Sequence, residues 1–412
     1  VNAIKGIYSQ YGGLSRSAYV IFIARIVTNM GGFIWPLLTL ILSRKLGYSA
    51  TTIGIISLMI GVIFIPANII GGKLADRFDK RKLIVIFDVI SVSFFIACAF
   101  IEPSNLMTVF FVIAGLFATM EGPAFDALVA DVSKPAEREK VYSLTYLGHN
   151  LGFVFGAAIG GFLFENHLPL AFLIDAATTL ASTILIVLFV TAIKREELDD
   201  DERNEYEDDA AEQISGWKVL KDRKPVIVQI LAFSMAALIY DQWAFVLPLY
   251  MEDLFLENGG KLFGFVASFN GFIVIVMTPV LVKLLDKYSE IPKTIIGVAL
   301  FSGSYLLLKN TTYYPMFIVM MSIFTLGEIA NMIGSSPYIS RRVPATHLGR
   351  ISSYRFIGAF IGGNIGRVIL GVIIDNYSYA MAFNFLGGIG VLTIIILTLN
   401  YRYDRRSYPK LY

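Results

Sequence analysis

Apolar residues run along this chain in long unbroken stretches rather than in a period-two alternation, and polar residues gather in short clusters between them. Apolar windows near 17–42, 51–73, 83–102, 105–130, 141–164 and 168–192 are followed by six more near 225–250, 262–285, 291–308, 313–338, 350–374 and 378–400. Spanning hydrocarbon takes roughly 20 helical residues, because each adds about 1.5 Å. A helix satisfies its own backbone hydrogen bonds in lipid, where water cannot. The pattern therefore predicts an all-α integral membrane protein of twelve transmembrane helices in two pseudo-symmetric six-helix bundles. Their expected bounds are 1–193 and 225–412, with a soluble connection at 194–224.

The halves repeat each other. Asp76, in GKLADRFDKRK (Gly72 to Lys82), has a degenerate twin 210 residues later, Asp286 in VKLLDKYSEIPK. Gly54 and Gly61 pair with Gly264 and Gly271 at the same offset, and Gly148, Gly152, Gly156 and Gly161 pair with Gly358, Gly362, Gly366 and Gly371. Glycines mark close approaches of backbone, so a matched set implies matched helix packing in each half. A duplicated helical membrane protein is the signature of a transporter that rocks one half against the other.

Composition sharpens this reading. Hydrophobic residues make up 56% of the 412 and charged ones 16%, below the roughly one quarter of soluble domains, and mean hydropathy is +0.67. A net charge of +2 gives no support to a nucleic-acid partner. The single cysteine, Cys98, excludes an intramolecular disulfide, a CxxC redox pair and a cysteine-based metal site. The first apolar run is long enough to span a bilayer and lacks an A-x-A-like end, so it reads as a span and not as a cleaved signal. Neither P-loop, HExxH nor a GxSxG elbow is present. The expectation is a protein that is not an enzyme and needs no cofactor or metal.

Loop charge sets the orientation. RFDKRK, KPAEREK, SRRVPATHLGR and the tail YRYDRRSYPK share one side, against EPSN, ENH, KNTTY and DNYSY on the other. Basic loops belong to the cytoplasm, which puts both termini there and predicts a multi-pass protein of a bacterial cell membrane. The connection opens with EELDDDERNEYEDD, a charge density that predicts a solvated, partly disordered linker. Trp217 and Leu220 among Lys218, Lys221 and Arg223 then predict an interfacial helix.

Two motifs carry a family resemblance. GKLADRFDKRK resembles the signature G-x-L-a-D-r-x-G-r-k of the major facilitator superfamily, with Gly72, Leu74, Ala75, Asp76, Arg77, Lys80 and Arg81 in place and Asp79 where a second glycine is usual. The resemblance implies a conformational latch in which Asp76 and the basic residues after it network with an acidic residue ending helix 4, matched here by Asp131. Ordinary topology-setting loop charge is the alternative. GFVFGAAIGG, with Gly152, Gly156, Gly160 and Gly161, resembles the helix 5 motif g-x-x-x-G-P-x-x-G-G of antiporters, with Ala157 replacing the proline. Gly152 and Gly156 share a face and are expected to admit a helix of the other half, although small-xxx-small spacing also serves generic packing. The closest pattern is the twelve-helix drug:proton antiporter group, of the lactococcal multidrug transporter type.

Charged groups at bilayer depth need a partner, a wet cavity or a proton. Glu121 and Glu328 fall near the midplane of segments 4 and 10, and Asp241 falls within segment 7, where alignment of Pro36 with Pro248 makes Asn29 its counterpart in segment 1. The resemblance implies that helices 1, 4, 7 and 10 line the central cavity. A carboxylate in such a cavity holds a proton until a cation enters beside it, so proton and cationic cargo compete. Asp241, Glu328, Glu121 and Asp126 are thus the proton-coupling candidates, and Arg25, Asn29, Glu121, Trp243, Glu328 and Asn331 the substrate-binding ones. Phe33, Trp35 and Phe245 would add aromatic lining. Arg25 either pairs structurally or contacts an anionic substrate, Asp88 and Asp175 are expected near segment ends, and His149 is expected to pack or hydrogen-bond.

The expected function is secondary active transport: proton-driven export of amphipathic cations by a monomer whose partners are a small-molecule substrate, protons and the lipid bilayer. A lipid-linked, siderophore or sugar-like cargo is the alternative within the same fold. A membrane sensor or scaffold that transports nothing is the alternative outside it.

Overall fold

The computed structural model describes residues 12–134, 137–191, 220–343 and 348–411. The expected acidic linker, and Trp217 of the interfacial helix, lie outside them. Every regular element among the described residues is helical. The first half has α1 (Arg16–Gly31), α2 (Ile34–Leu40, continued by a π turn, Ile41–Lys45), α3 (Ala50–Ala75), α4 (Lys80–Ala99), α5 (Asn105–Asp131), α6 (Arg138–Leu163) and α7 (Leu168–Phe189). The second has α8 (Lys224–Tyr240), α9 (Trp243–Phe255), α10 (Gly259–Leu285), α11 (Glu290–Leu306), α12 (Tyr314–Ser340), α13 (Leu348–Asn376) and α14 (Tyr379–Ser407).

Ten helical stretches among the described residues are long and apolar enough to cross a membrane. One of them, Lys224–Leu285, runs for 62 residues through α8, α9 and α10. It turns at Leu256, whose φ of 49° is the left-handed conformation a branched side chain rarely adopts. Helix starts follow local chemistry: the Ser15, Ser104 and Ser378 hydroxyls accept from the N–H groups of Ala18, Met107 and Met381 at 3.2, 3.3 and 3.2 Å. Asp79 caps α4 in the same way, accepting from the Lys82 N–H at 2.9 Å. The aspartate that replaces the signature glycine therefore starts the next helix.

Two compact units form. The first comprises Val1–Leu46, Met59–Glu205 and Gly260–Gly271, and the second Gly47–Leu58, Tyr206–Gly259 and Phe272–Tyr412. Inside the first, Ile21, Ile84, Phe87, Phe125 and Leu128 join one buried core, while Val274, Leu281, Leu285, Ile329 and Ala330 form one in the second. Side chains such as Ile63, Phe100, Phe162, Leu188 and Leu284 are left exposed on the helix surfaces, as in a protein solvated by lipid.

The repeated glycines make repeated joints. In the first unit, a Cβ on Gly264 would lie 2.6 Å from the Ala157 carbonyl oxygen, and one on Gly161 would lie 2.8 Å from that of Gly260. In the second, a Cβ on Gly54 would lie 2.6 Å from the Arg367 carbonyl oxygen, and one on Gly371 would lie 2.5 Å from that of Ala50. All four relations superpose at the 210-residue offset. Gly156 abuts the Asn29 carbonyl and Gly366 the Leu238 carbonyl, so α6 lies on α1 as α13 lies on α8. Gly152 and Gly156 thus face α1 of their own half, which corrects the expected contact with the other half. Gly161 is the member of that motif that reaches a second-half helix, α10, inside the first unit.

Candidate functional site

Two discontinuities organise the polar interior. The first predicted segment breaks at Gly32 and Phe33, between α1 and α2, and the seventh at Asp241 and Gln242, between α8 and α9. The breaks correspond, but the prolines do not: Pro36 is the third residue of α2 and Pro248 the sixth of α9. Aligning them misplaces the pair by about one turn. Through the glycine joints Asn29 corresponds to Leu238, and Asp241 falls opposite the break at Gly32.

In the second unit, Asp241 ends α8 and its carboxylate rests on α13 at Gly363, where a Cβ would collide with it. Arg367, one turn further along α13, interacts electrostatically with Asp241, and the Arg367 Nε is buried without a hydrogen-bond partner among the described residues. Gln242 is fully buried and bridges the break, its Nε2 donating to the Leu238 and Gly363 carbonyls at 2.8 and 3.0 Å. On the other side of the same turn, the Tyr240 hydroxyl donates to Glu328 Oε1 at 2.8 Å, and its ring stacks on Phe324 at 5.5 Å. Adjacent residues at the end of α8 therefore reach different helices, Asp241 turning to α13 and Tyr240 to Glu328 on α12. Asn331, one turn past Glu328, keeps its Oδ1 buried without a hydrogen-bond partner among the described residues. Trp243 opens α9 and is half-buried.

The first unit gathers more charge. Arg25 on α1 interacts electrostatically with Asp88 on α4, Glu121 and Asp126 on α5, and His149 on α6. Its guanidinium lies over Phe125 at 4.5 Å, and its Nε is buried without a hydrogen-bond partner among the described residues. Asn29 donates to the Arg25 carbonyl at 2.8 Å, satisfying its own helix. Asp88 and Asp175, expected near segment ends, are instead interior, 8% and 4% exposed. Thr183 donates to Asp88. Asp175 packs against Gly31 and has Asp88 as its electrostatic neighbour. No counting of residues from segment ends could find this pair, because the burial comes from α1 and α4 closing over α7.

Three of the four aromatic residues expected to line a cavity are packing residues. Phe33 and Phe245 are each 1% exposed, Phe33 being wedged between Phe153 and Phe263. Trp35 meets Phe111 edge to face at 4.5 Å and fills the space above Gly115.

At the basic-loop end, Lys80 is the cation that reaches Asp131, at 2.8 Å. Arg81 instead donates to the Val190 carbonyl at 2.9 Å, while Asp76 and Arg77 are exposed. Gly72 has room, its nearest Cβ neighbour being Pro123 at 3.9 Å, and Gly71 makes the tight approach to Met120. The second half holds an ion network that the sequence reading missed. Arg341 meets Glu290 at 2.7 Å, and buried Arg342 meets Asp404 at 2.7 Å and Glu290 at 3.4 Å. Tyr338 donates to Asp404 at 2.6 Å and lies under the Arg342 guanidinium at 3.9 Å. The signal was available at the offset already in hand, since Glu290 and Arg341 stand 210 residues after Lys80 and Asp131.

Comparison with known proteins agrees with this architecture. The profile of the Major Facilitator Superfamily matches residues 20–363 and 263–411. The chain is similar to a Na(+), Li(+), K(+)/H(+) antiporter of Planococcus maritimus, 24% identical over 91% of this chain and 93% of that one. It is also similar to the multidrug resistance protein MdtH of Yersinia enterocolitica, 28% identical over 37% of this chain and 38% of that one. Among solved structures, the POT family transporter PepTSo superposes with a TM-score of 0.75 at 15% identity, over 95% of this chain and 98% of that one. A POT family transporter in complex with 5-aminolevulinic acid gives 0.73 at 17% identity, over 97% of each chain.

Proposed function

We propose that this chain, which belongs to the Major Facilitator Superfamily and is a membrane transporter, exports amphipathic cations in exchange for protons. The observation that carries the reading is the break between α8 and α9. Asp241 sits at that discontinuity, within an apolar stretch of 62 residues and interacting with Arg367, with Tyr240 next to it holding Glu328. Interrupted helices are where transporters of this architecture place substrate and coupling ions, because freed backbone groups and a buried charge meet there. A carboxylate so placed alternates between a proton and a cation, and Arg367 takes up its charge between the two.

Asp241 and Glu328 are the exchange sites in this reading. Glu121 and Asp126 supply further proton positions around Arg25, and Asn331 and Trp243 contact cargo. The basic loops and both termini face the cytoplasm. The names of two relatives, an antiporter and a multidrug resistance protein, are in keeping with exchange and with drug-like cargo.

A second reading keeps the exchange and makes the cargo an alkali cation. It is favoured by the first unit, where Asp88, Glu121 and Asp126 interact electrostatically with Arg25, and Asp175 with Asp88.

Transport into proteoliposomes with an imposed pH gradient tests both. Ethidium movement that is abolished by Asp241→Asn and by Glu328→Gln, in protein that still folds, is the expected result. Gradient-driven movement of sodium without ethidium selects the second reading, and no gradient-dependent flux of either overturns both.

A further inference from the structure

We propose that the groove between the first turns of α4 and the last turns of α7 binds the headgroup of an anionic phospholipid, taken from the leaflet on the basic-loop side. The groove has a volume of about 460 Å³ and is lined by Asp79, Arg81, Lys82, Val85, Ile86 and Val187. That volume lies in the range that holds small organic groups. Its chemistry changes along one face of α4. Lys82 and Ile86 are four residues apart, and Val85 lies between them on the same face. Cations therefore stand over an apolar wall.

The wall is open to the surroundings, Ile86 being 52% and Val187 44% exposed. A soluble anion would leave it bare, whereas a phospholipid covers it with acyl chain while its phosphate meets the cations above. Arg81 is fixed in place by donating to the Val190 carbonyl at the end of α7, which uses one of its five N–H groups. Lys82 is exposed at the rim. The one acid in the lining, Asp79, accepts from the Lys82 backbone N–H through Oδ1 at 2.9 Å, so it orders the rim, and the lining remains net positive with Arg81 and Lys82. Basic groups near such a surface attract anionic headgroups by roughly five-fold each.

The full chain, purified in detergent, is titrated with phosphatidylglycerol or with phosphatidylcholine of the same acyl chains, and bound lipid is counted by native mass spectrometry. The expected result is preferential retention of phosphatidylglycerol, a preference reduced several-fold by Lys82→Gln alone and further by Arg81→Gln with Lys82→Gln. Lys287→Gln, which removes an exposed lysine outside the groove, leaves the preference unchanged. Equal retention of the two lipids, an unchanged preference in the double variant, or an equal loss in Lys287→Gln overturns the proposal. Glycerol phosphate binding as tightly as the lipid would show a site for a free phosphate and overturn the lipid assignment. Because Lys82 lies at the surface, its variant is expected to unfold at the temperature of the unmodified chain.

Discussion

At their basic-loop ends the two halves carry one ion pair in the same place with opposite polarity. Lys80 at the start of α4 meets Asp131 at the end of α5 at 2.8 Å. In the second half, Glu290 at the start of α11 meets Arg341 at the end of α12 at 2.7 Å. Duplication has kept the geometry of the helix pair and exchanged the signs. What helix packing fixes is which two positions face each other; either order of charge then satisfies them.

The surroundings differ more than the pair does. Lys80 and Asp131 keep about a third of their side chains exposed, at 32% and 34%. Glu290 is 3% exposed and is drawn into a network in which Arg342 and Asp404 are both fully buried. An exposed pair is screened by solvent, while a buried one is held by the cost of leaving either partner alone.

The largest effect that can break this contrast is expected at the buried network. Asp404→Asn leaves buried Arg342 with the longer contact to Glu290 and should cost about 3 kcal/mol, read as a large fall in the thermal unfolding midpoint of the purified chain. Asp131→Asn should cost only about 0.2–1 kcal/mol. Equal falls in the two variants would dissolve the distinction between the ends.

The glycine joints sharpen the part of the comparison that is conserved between halves. Gly54→Val and Gly264→Val place a side chain against equivalent carbonyls, those of Arg367 and Ala157. Overpacking of this kind costs about 1–3 kcal/mol. The two variants should lower the unfolding midpoint alike, with Gly72→Ala close to neutral because its Cβ finds space. A Gly72→Ala variant as damaged as Gly54→Val would contradict the close approach assigned to these joints.

The smallest effect concerns polarity itself. Lys80→Glu and Asp131→Arg, made singly, each place like charges face to face and should cost a few tenths to about 1 kcal/mol. Combined, they rebuild the order found at Glu290 and Arg341 and should recover most of that loss. A double variant no better than the sum of the singles would mean that sign is set by something beyond the pair.

Much of the fold was legible because lipid leaves the chain few choices. Long apolar runs must be helices, and recurrence of Gly54, Gly161, Gly264 and Gly371 at one offset identified where helices would meet. The site was legible only in part. Asp241, Glu328, Arg25 and Glu121 stood out as charges in apolar segments, yet the direction each side chain takes was not readable. The correspondence of Asn29 with Asp241 was misjudged because Pro36 and Pro248 were taken as equivalent, while Gly32 and the side chain of Gln242, which bonds back to Leu238 and across to Gly363, are what the interruptions contain. Asp88 and Asp175 were placed near segment ends, because burial of a residue within a helix depends on which neighbours cover it.

Sequence by itself determined the environment of this protein, its helical class, its internal duplication and the list of costly charges, since each follows from transfer of local groups into hydrocarbon. Tertiary structure alone decided partnership: that Lys80 and not Arg77 reaches Asp131, that Tyr240 holds Glu328 while Asp241 turns to Gly363 and Arg367, and that Phe33 and Trp35 fill joints. Partnership depends on the rotation and separation of helices far apart in the chain, and a residue's own chemistry carries no information about either.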